Sequence, residues 1–226
     1  MSYNIYGFSY TKKSDERKKR MDHRFNQLGL KLNWVDIVEV DDPRIPQHLD
    51  TSLKRTYAVM FNHLDMLNSF INSDAEYGIF CEDDILIRKD FKHSIISAID
   101  GFKRLNLDVL LLGYLTNYVP VSVHNNTNSH QLLEQPFSFL SYHDDLWGAE
   151  MYMLDKTSAK KVYDRFINPE GIEPFCSDWT ITKYGRRACI YPMLAVEEGK
   201  VETDHIGQKN FHEACFITNF SENLHI

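Results

Sequence analysis

The sequence predicts an α/β fold in which a mostly parallel sheet carries helices on both of its faces. Short apolar segments alternate along the chain with longer segments whose apolar residues recur at helical spacing. One of them, residues 108–112, is apolar almost throughout, as in strands that a parallel sheet buries on both sides. Strands that alternate with helices in this way build a sheet between two helical layers. The 226 residues are enough to bury a substantial core, and we expect them to form a single domain.

The first half of the chain predicts two strands and two helices. Residues 3–8 indicate a strand, and the helix that follows has Ser14 as its N-cap and Gly29 as its stop. Residues 34–40 alternate and are rich in valine and isoleucine, which indicates the second strand. Apolar residues at helical spacing then predict a long helix over residues 53–71.

The second half continues the alternation of strands and helices. A short apolar strand at residues 77–81 precedes a helix at residues 91–102 and the apolar strand at residues 108–112. The remaining predicted elements are strands at residues 147–154 and 188–191 and helices at residues 157–166 and 177–184. Residues 113–145 are polar and irregular, and because a loop this long is usually functional, we predict an active-site loop. Residues 196–226 are acidic and then mixed, and we expect a C-terminal tail.

The charge balance argues against one class of function. The chain has 25 lysines and arginines against 32 aspartates and glutamates, which gives a formal net charge of −7. Such a chain is a poor general binder of nucleic acid, because neutralising phosphates requires clustered cations. One basic cluster has the solvated face of a helix as its default interpretation, and its members are Lys12, Lys13, Arg17, Lys18, Lys19 and Arg20.

The cysteines and the N-terminal residues bear on the cellular compartment. None of the four cysteines forms a CxxC pair, so the sequence does not indicate a zinc site. The sequence starts without a basic-then-apolar signal segment and contains no run of roughly eighteen apolar residues. We therefore expect a cytoplasmic protein with reduced thiols.

Three consecutive carboxylates, Glu82, Asp83 and Asp84, are the sharpest local feature. They follow directly on the apolar strand at residues 77–81, and ligands of α/β sheets bind beyond the carboxyl ends of the strands. Because side chains alternate along an extended chain, Glu82 and Asp84 are expected on the same side. Carboxylates this close favour a hard divalent cation such as Mg²⁺ or Mn²⁺, which would offset their repulsion. The alternative is a solvated acidic turn that caps the next helix.

Other polar residues allow both a functional and a plain structural interpretation. A second acidic stretch contains Glu197, Glu198, Glu202, Asp204 and His205. His205 is a candidate metal ligand from a late loop, or else it belongs to a surface tail. Asp178 lies at the start of a predicted helix and is either a general base or a carboxylate that complements the helix dipole. Asp144 and Asp145 allow the same two interpretations.

Taken in order along the chain, these segments resemble family 25 of the glycosyltransferases, which includes lipooligosaccharide biosynthesis enzymes and collagen hydroxylysine glycosyltransferases. Residues 15–21 are similar to the arginine-rich first helix of the family, and residues 58–64 to its Ser-His helix, with Asn62 in place of the serine. Residues 77–85 resemble the strand that carries its Glu-Asp-Asp metal motif. The later matching segments are residues 147–154 with 159–161, which resemble the acceptor-side strand and helix, then Asp178-Trp179 and Tyr191-Pro192.

The resemblance implies a GT-A fold, which is Rossmann-like, a UDP-sugar donor, and Mn²⁺ or Mg²⁺ as the metal. Asp84 and Glu82 would bind the metal, with Glu82 also facing the donor ribose or sugar. Asp83 would assist at the donor, and His205 would complete the metal site. Arg17 would reach the diphosphate. The nucleotide pocket would be lined by Phe8, Ser9 and Tyr10 after the first strand and by Asp41 after the second.

The sequence therefore leads to the hypothesis of a metal-dependent glycosyltransferase that acts on a hydroxyl of a glycan or glycoprotein acceptor. Asp178 is the first candidate for the group that positions the hydroxyl or takes its proton, and Asp145 is the second. The loop at residues 113–145 would close over the donor and exclude water. One alternative is a sugar-phosphate nucleotidyltransferase, although no glycine-rich phosphate loop follows the first strand near Tyr10. The other is a catalytically silent glycan-binding domain.

Overall fold

A seven-stranded sheet forms the centre of the part of the chain that the computed structural model describes, residues 2–9, 15–118, 132–200 and 205–226. The strands are β1 (Tyr3–Gly7), β2 (Leu32–Trp34), β3 (Tyr77–Cys81), β4 (Ile85–Ile87), β5 (Val109–Leu115), β6 (Ser138–Leu140), β7 (Trp147–Asp155), β8 (Arg187–Tyr191) and β9 (Ala195–Glu197). The order across the sheet is β2-β1-β3-β7-β5-β8-β6. Strands β4 and β9 form a separate antiparallel pair.

The strand directions place several chain ends at one edge of the sheet. Strand β1 pairs in parallel with β2 and β3, and β5 pairs in parallel with β8. Strand β7 is antiparallel to β3 and β5, and β6 is antiparallel to β8. All strands of the sheet except β6 and β7 therefore point the same way, which confirms the predicted mostly parallel sheet. The carboxyl ends of β1, β3 and β5 and the start of β7 meet at the same edge.

Helices cover both faces of the sheet. They are α1 (Asp15–Gln27), α2 (Thr51–Ile71), α3 (Phe91–Leu105), α4 (Lys156–Phe166), α5 (Ser177–Thr180) and α6 (Ile206–Asn219). Side chains of a strand alternate between two clusters of buried residues. Phe80 of β3 belongs to the cluster that contains residues of α2 and α4, whereas its neighbour Ile79 belongs to the cluster with α1 and α3. The two clusters are therefore the cores on opposite sides of the sheet.

Short polar residues fix the ends of the longer helices. Asp50 and Asp155 are the N-caps of α2 and α4, and each side chain accepts a backbone N–H from the first turn. Helix α3 ends at Asn106, whose φ of 51° lies in the left-handed region that asparagine tolerates better than most residues. The predicted N-cap Ser14 of α1 lies outside the described residues.

The second strand differs from the prediction. It spans Leu32–Trp34, and residues 35–40, which the prediction also assigned to it, are not in a strand. Strand β1 ends at Gly7, which pairs with Trp34. The residues after Trp34 therefore have no neighbouring strand residue to pair with in the β1–β2 ladder. The Val38 N–H instead donates to Asn62 Oδ1 at 2.9 Å, and Asn62 Nδ2 donates to the Val38 carbonyl. Asn62 of α2 therefore binds the Val38 backbone groups, which in the predicted strand would have paired with a neighbouring strand.

Residues 113–145, predicted as a loop, and residues 196–226, predicted as a tail, contain more secondary structure than expected. Strand β5 extends to Leu115 and β6 lies at Ser138–Leu140, so residues 113–145 are not one continuous loop, although residues 119–131 lie outside the described part. The expected C-terminal tail contains β9 and α6. Its last residue pairs with β4, since the backbones of Ile226 and Ile87 exchange two hydrogen bonds of 3.0 and 3.1 Å.

Two further features concern the helices and the cysteines. Within the described ranges, no helix is long and apolar enough to cross a membrane. All four cysteines are free, and three of them, Cys81, Cys189 and Cys215, are buried.

Candidate active site

The acidic motif lies at the carboxyl edge of the sheet, between β3 and β4. Residue Cys81, at the end of β3, pairs with Met151 of β7, and the Glu82 N–H donates to the Glu150 carbonyl at 3.2 Å. The antiparallel pairing therefore brings Glu150, from far along the chain, beside Glu82. The buried apolar strand β3 holds the motif in place because all five of its residues lie in the core.

Three carboxylates converge at this edge. Glu82, Asp84 and Glu150 each contribute one carboxylate oxygen to a group whose members all lie within 4.8 Å of one another. Glu82 and Asp84 are thus on the same side, as strand alternation predicts. Asp84 Oδ1 is buried and has no hydrogen-bond partner among the described residues. Oxygen ligands in this number and spacing, with an orphaned buried oxygen, fit a divalent cation.

The electrostatics of the three carboxylates also favour a bound cation. Burial raises the pKa of Glu82, and the charges of Asp178, Asp83 and Glu197 raise it further. Burial likewise raises the pKa of Asp84 and of Glu150, and Glu82 adds to both shifts. Without a compensating cation, the folded chain therefore favours the protonated forms of these groups. A bound cation would favour the ionised forms.

Asp83 has a different environment from its two neighbours. It is 3% exposed, accepts a hydrogen bond from Ser9 Oγ at 2.8 Å, and pairs with Arg17 at 3.0 Å. The same guanidinium reaches Asp84 Oδ2 at 2.7 Å. Asp83 therefore ties the motif to β1 and α1, while Arg17 brings a positive charge to the edge of the carboxylate group.

The basic face of α1 lies against the site. Arg20 and Arg24 both pair with Glu198, and Arg24 also donates to the Ile85 carbonyl at 2.7 Å. The Glu198 N–H in turn donates to the Asp84 carbonyl at 2.8 Å. The solvated-face interpretation is wrong for Arg17, which contacts Asp83 and Asp84, whereas Arg20 is exposed and Lys12 and Lys13 lie outside the described residues. Arg24 was not among the residues that the sequence singled out.

A buried histidine of the segment at residues 58–64 lies behind Glu82, although the sequence assigned it no role. His63 of α2 is fully buried, its Nδ1 lies 2.9 Å from the Tyr152 hydroxyl, and its Nε2 lies 3.4 Å from Glu82 Oε1. Burial lowers the pKa of His63 to about 4, so the ring is neutral at physiological pH. With the tyrosine hydroxyl donating to Nδ1, the proton is assigned to Nε2, which faces Glu82. His63 thus orients this carboxylate.

Asp178 lies beside the same carboxylates. It is the second residue of α5, and its carboxylate receives backbone hydrogen bonds from Gly148 and Ala149 at the start of β7. Gly148 has a φ of 97°, and a Cβ added there would lie 2.8 Å from the Leu115 nitrogen, so the position requires glycine. Burial raises the pKa of Asp178 despite the opposing charges of His63 and Lys183. Its charge also raises the pKa of Glu82.

Two late histidines lie on α6, His205 at its start and His212 further along, where it contacts Glu197. His205 is the exposed N-cap of α6, and its Nδ1 accepts the Gln208 N–H at 3.1 Å. His212, on the same helix, lies 2.9 Å from Glu197 Oε2. Burial lowers the pKa of His212, but the Glu197 hydrogen bond and the charges of Glu197, Asp84 and Glu82 raise it overall. The sequence argument missed His212 because it did not predict α6.

The predicted nucleotide-pocket residues have varied surroundings. Phe8 is buried, with its ring 5.0 Å from that of His63, and Ser9 is buried against Asp83. Asp41 is exposed in the turn after residue 40, and Tyr10 lies outside the described residues. Phe8 and Ser9 therefore border the acidic motif directly, and Asp41 faces solvent.

Comparison with known proteins identifies the family. The model of glycosyltransferase family 25 (LPS biosynthesis protein) matches residues 10–174, which is well over half of the chain. The chain belongs to glycosyltransferase family 25. The match includes the acidic motif, Arg17, His63 and Glu150, whereas Asp178 and α6 follow it.

One solved structure supports a GT-A fold for this family 25 glycosyltransferase. A glycosyltransferase involved in the glycosylation of the major capsid of PBCV-1 aligns over 94% of this chain and 99% of its own, with a TM-score of 0.50 and 12% identity. A mannose-1-phosphate geranyltransferase from Thermus thermophilus aligns over 84% of this chain and 74% of its own, with a TM-score of 0.42 and 8% identity. No curated protein sequence matches the chain. At such identities the first likeness concerns the fold, and it confirms the predicted class.

A cavity of about 530 Å³ in this glycosyltransferase reaches His212, which contacts Glu197 near the carboxylates. It lies between the end of β5, the start of β7 and α6, and its lining includes Asp145 and His212. Asp145 is exposed at this wall, whereas Asp178 binds the backbone of Gly148 and Ala149 and does not line the cavity. The two candidate bases therefore occupy different parts of the site.

Proposed function

We propose that this family 25 glycosyltransferase is metal-dependent and transfers a sugar from a UDP-sugar to a hydroxyl of a glycan or glycoprotein. The observation that carries the proposal is the convergence of Glu82, Asp84 and Glu150, with Asp84 Oδ1 buried and unpartnered within the described residues. A group of buried carboxylates has raised free energy unless a cation or hydrogen-bond donors compensate it. The divalent cation that we assign to this group is Mn²⁺ or Mg²⁺.

Glu82, Asp84 and Glu150 are the residues that would hold the cation. When bound, the cation supplies positive charge that stabilises a diphosphate leaving group. Arg17 is the nearby cationic side chain that we assign to the same charge, because its guanidinium already reaches Asp84 and is about one third exposed. Asp83, Ser9 and His63 keep the carboxylates oriented.

Asp178 is the group that we assign to the acceptor hydroxyl. In the proposed reaction, a bond forms between the acceptor oxygen and the anomeric carbon, while the bond from that carbon to the diphosphate oxygen breaks. The electron pair leaves with UDP, and the acceptor proton passes to Asp178. A carboxylate whose pKa is raised by burial is better suited to hold a proton near neutral pH than an ordinary aspartate. Asp145, on the cavity wall, is assigned to acceptor binding instead.

A nucleotide-sugar panel tests the proposal directly. We would incubate the protein with UDP-, GDP- and ADP-sugars and Mn²⁺, with and without a chelator, and measure the released nucleoside diphosphate. The account predicts UDP release that the chelator abolishes. Pyrophosphate exchange in place of UDP release would favour a nucleotidyltransferase. No turnover with any donor would favour a silent glycan-binding domain.

A variant pair tests the assignment of Asp84. Asp84→Asn removes one ligand charge and should lower metal-dependent turnover by about 100-fold or more, while the fold is retained. Asp164→Asn is the matched control, because Asp164 is an exposed aspartate that pairs only with Lys160 on α4 within the described residues. Turnover by Asp84→Asn equal to that of Asp164→Asn would refute the assignment.

A further inference from the structure

The cavity beside the carboxylates has an aromatic wall. Trp147 and Tyr118 both line it and are 48% and 59% exposed, so a large part of each ring has no partner in the core. Phe211 of α6 adds a third ring to the lining. The Trp147 ring packs edge-on against Trp179, with the ring centroids 4.9 Å apart, which restricts its orientation. Exposed rings that line a concave site provide an apolar face for a ligand.

The polar groups of the cavity suit a ligand with hydroxyl groups and no charge. The amides of Asn117 and Gln208 and the carboxylate of Asp145 line it together with the aromatic rings. Amides donate and accept hydrogen bonds, and carboxylates accept them from hydroxyls. Neither lysine nor arginine lines the cavity in the part of the chain that the structure describes. Among the described lining residues His212 is the basic side chain, and it already pairs with Glu197, so an anionic ligand would meet Asp145 without an unpaired cation on the wall.

Helix α6 holds one wall of the cavity in place. Asn219 Nδ2 donates to the Thr116 carbonyl at 2.7 Å, and the Thr116 hydroxyl donates to the Tyr118 carbonyl at 3.0 Å. Asn219 is buried, so this contact anchors the turn that carries Tyr118 to the end of α6. A wall that is fixed before the ligand arrives lowers the entropic cost of binding.

The cavity also adjoins the proposed transfer centre. His212 lines it and lies 2.9 Å from Glu197, which pairs in the β4–β9 ladder with Ile85, the residue after Asp84. Trp147 directly precedes Gly148, whose backbone N–H bonds to Asp178. A sugar in the cavity would therefore lie next to the carboxylate that we assign to the acceptor hydroxyl.

We propose that the cavity binds a neutral pyranose of the acceptor, with the sugar ring against Trp147 and Tyr118. Asn117, Gln208 and Asp145 bind its hydroxyls. The inference rests on the proposed function, since it names the acceptor class of the same site. A volume of about 530 Å³ is in the range of small-molecule sites, which run from about 300 to 1,000 Å³.

Direct binding tests the inference without any transfer reaction. The probes are the methyl glycosides of glucose and galactose, with glucuronic acid as the charged counterpart, measured by saturation-transfer NMR and calorimetry on the full chain. We expect a methyl glycoside to bind and glucuronic acid to bind at least about tenfold more weakly. Trp147→Ala and Tyr118→Ala should each weaken glycoside binding by about tenfold.

Ile217→Ala is the matched control, because Ile217 is a 64% exposed apolar residue of α6 that does not line the cavity. It should bind the glycosides as the wild type does. The inference is overturned if the wild type binds neither glycoside, if glucuronic acid binds as tightly, or if both cavity variants bind like the control.

The donor assay separates this inference from the proposed function. UDP release from a UDP-sugar without any binding of the methyl glycosides would overturn the acceptor assignment and leave the transferase proposal standing. Binding of the glycosides that depends on Trp147 and Tyr118, without turnover of any donor, would support the cavity and overturn the transferase proposal.

Discussion

The hydrogen bond between Tyr152 and His63 allows a quantitative test of how Glu82 is oriented. Tyr152 and His63 are both completely buried, and the Tyr152 hydroxyl lies 2.9 Å from His63 Nδ1. Tyr152→Phe removes the donor and leaves a buried nitrogen acceptor unsatisfied, which costs about 1–3 kcal/mol of unfolding free energy. In a chain of this size, each kcal/mol lowers the melting temperature by roughly 2–4 °C. We also expect about tenfold weaker Mn²⁺ binding, because His63, which faces Glu82, loses the hydrogen bond that fixes its ring.

Tyr191→Phe provides the matched control for this experiment. The Tyr191 hydroxyl is buried and has no hydrogen-bond partner among the described residues, so its removal should leave stability unchanged or raise it. Thermal unfolding and Mn²⁺ titration of both variants give the comparison. Equal stability of the two variants, or unchanged Mn²⁺ affinity in Tyr152→Phe, would refute the proposed role of the Tyr152–His63 pair.

Three further predictions concern the charges of the site. Burial raises the pKa of Glu82 and of Asp84 to about 8, above their unfolded values, so the metal-free chain should lose the stability contributed by these groups as the pH rises from the ordinary carboxyl range toward 8; Mn²⁺ should reduce this loss in thermal unfolding. Burial also raises the pKa of Glu150, and Glu150→Gln removes the free-energy cost of burying this ionisable group, so it should stabilise the metal-free chain by about 1 kcal/mol in urea unfolding near neutral pH while it lowers metal-dependent turnover; a destabilised, active variant would contradict this. Arg17→Gln should raise the donor KM by about tenfold, whereas Lys19→Gln, an exposed neighbour on α1, should not.

Local patterns were sufficient to predict the strand that carries the acidic motif. The five residues of β3 are apolar and buried, and three carboxylates follow them, so the strand and the position of its carboxyl end could be read directly. Residues 35–40 alternate like a strand, but their conformation depends on Asn62 of α2, which binds the Val38 backbone. A tertiary contact of this kind has no local signature.

The residues that were missed share a physical reason. Glu150 is a single carboxylate inside the apolar strand β7, and only the antiparallel pairing of β7 with β3 places it beside Glu82. His212 lies on α6, where the buried residues are only Cys215 and Asn219, so the helix shows little apolar periodicity. Helix α6 contacts β9 and the turn after β5, and Phe216 packs only partly buried against the core, so its apolar side is narrow.

Titration of the metal-free protein with Mn²⁺, followed by electron paramagnetic resonance, tests the central claim most directly. The account predicts one tightly bound ion per chain in the wild type and in Asp164→Asn, and at least about tenfold weaker binding in Asp84→Asn and in Glu150→Gln. Addition of UDP should change the spectrum of the bound ion. Equal Mn²⁺ binding by the wild type and both site variants would contradict the assignment of the cation to these three carboxylates.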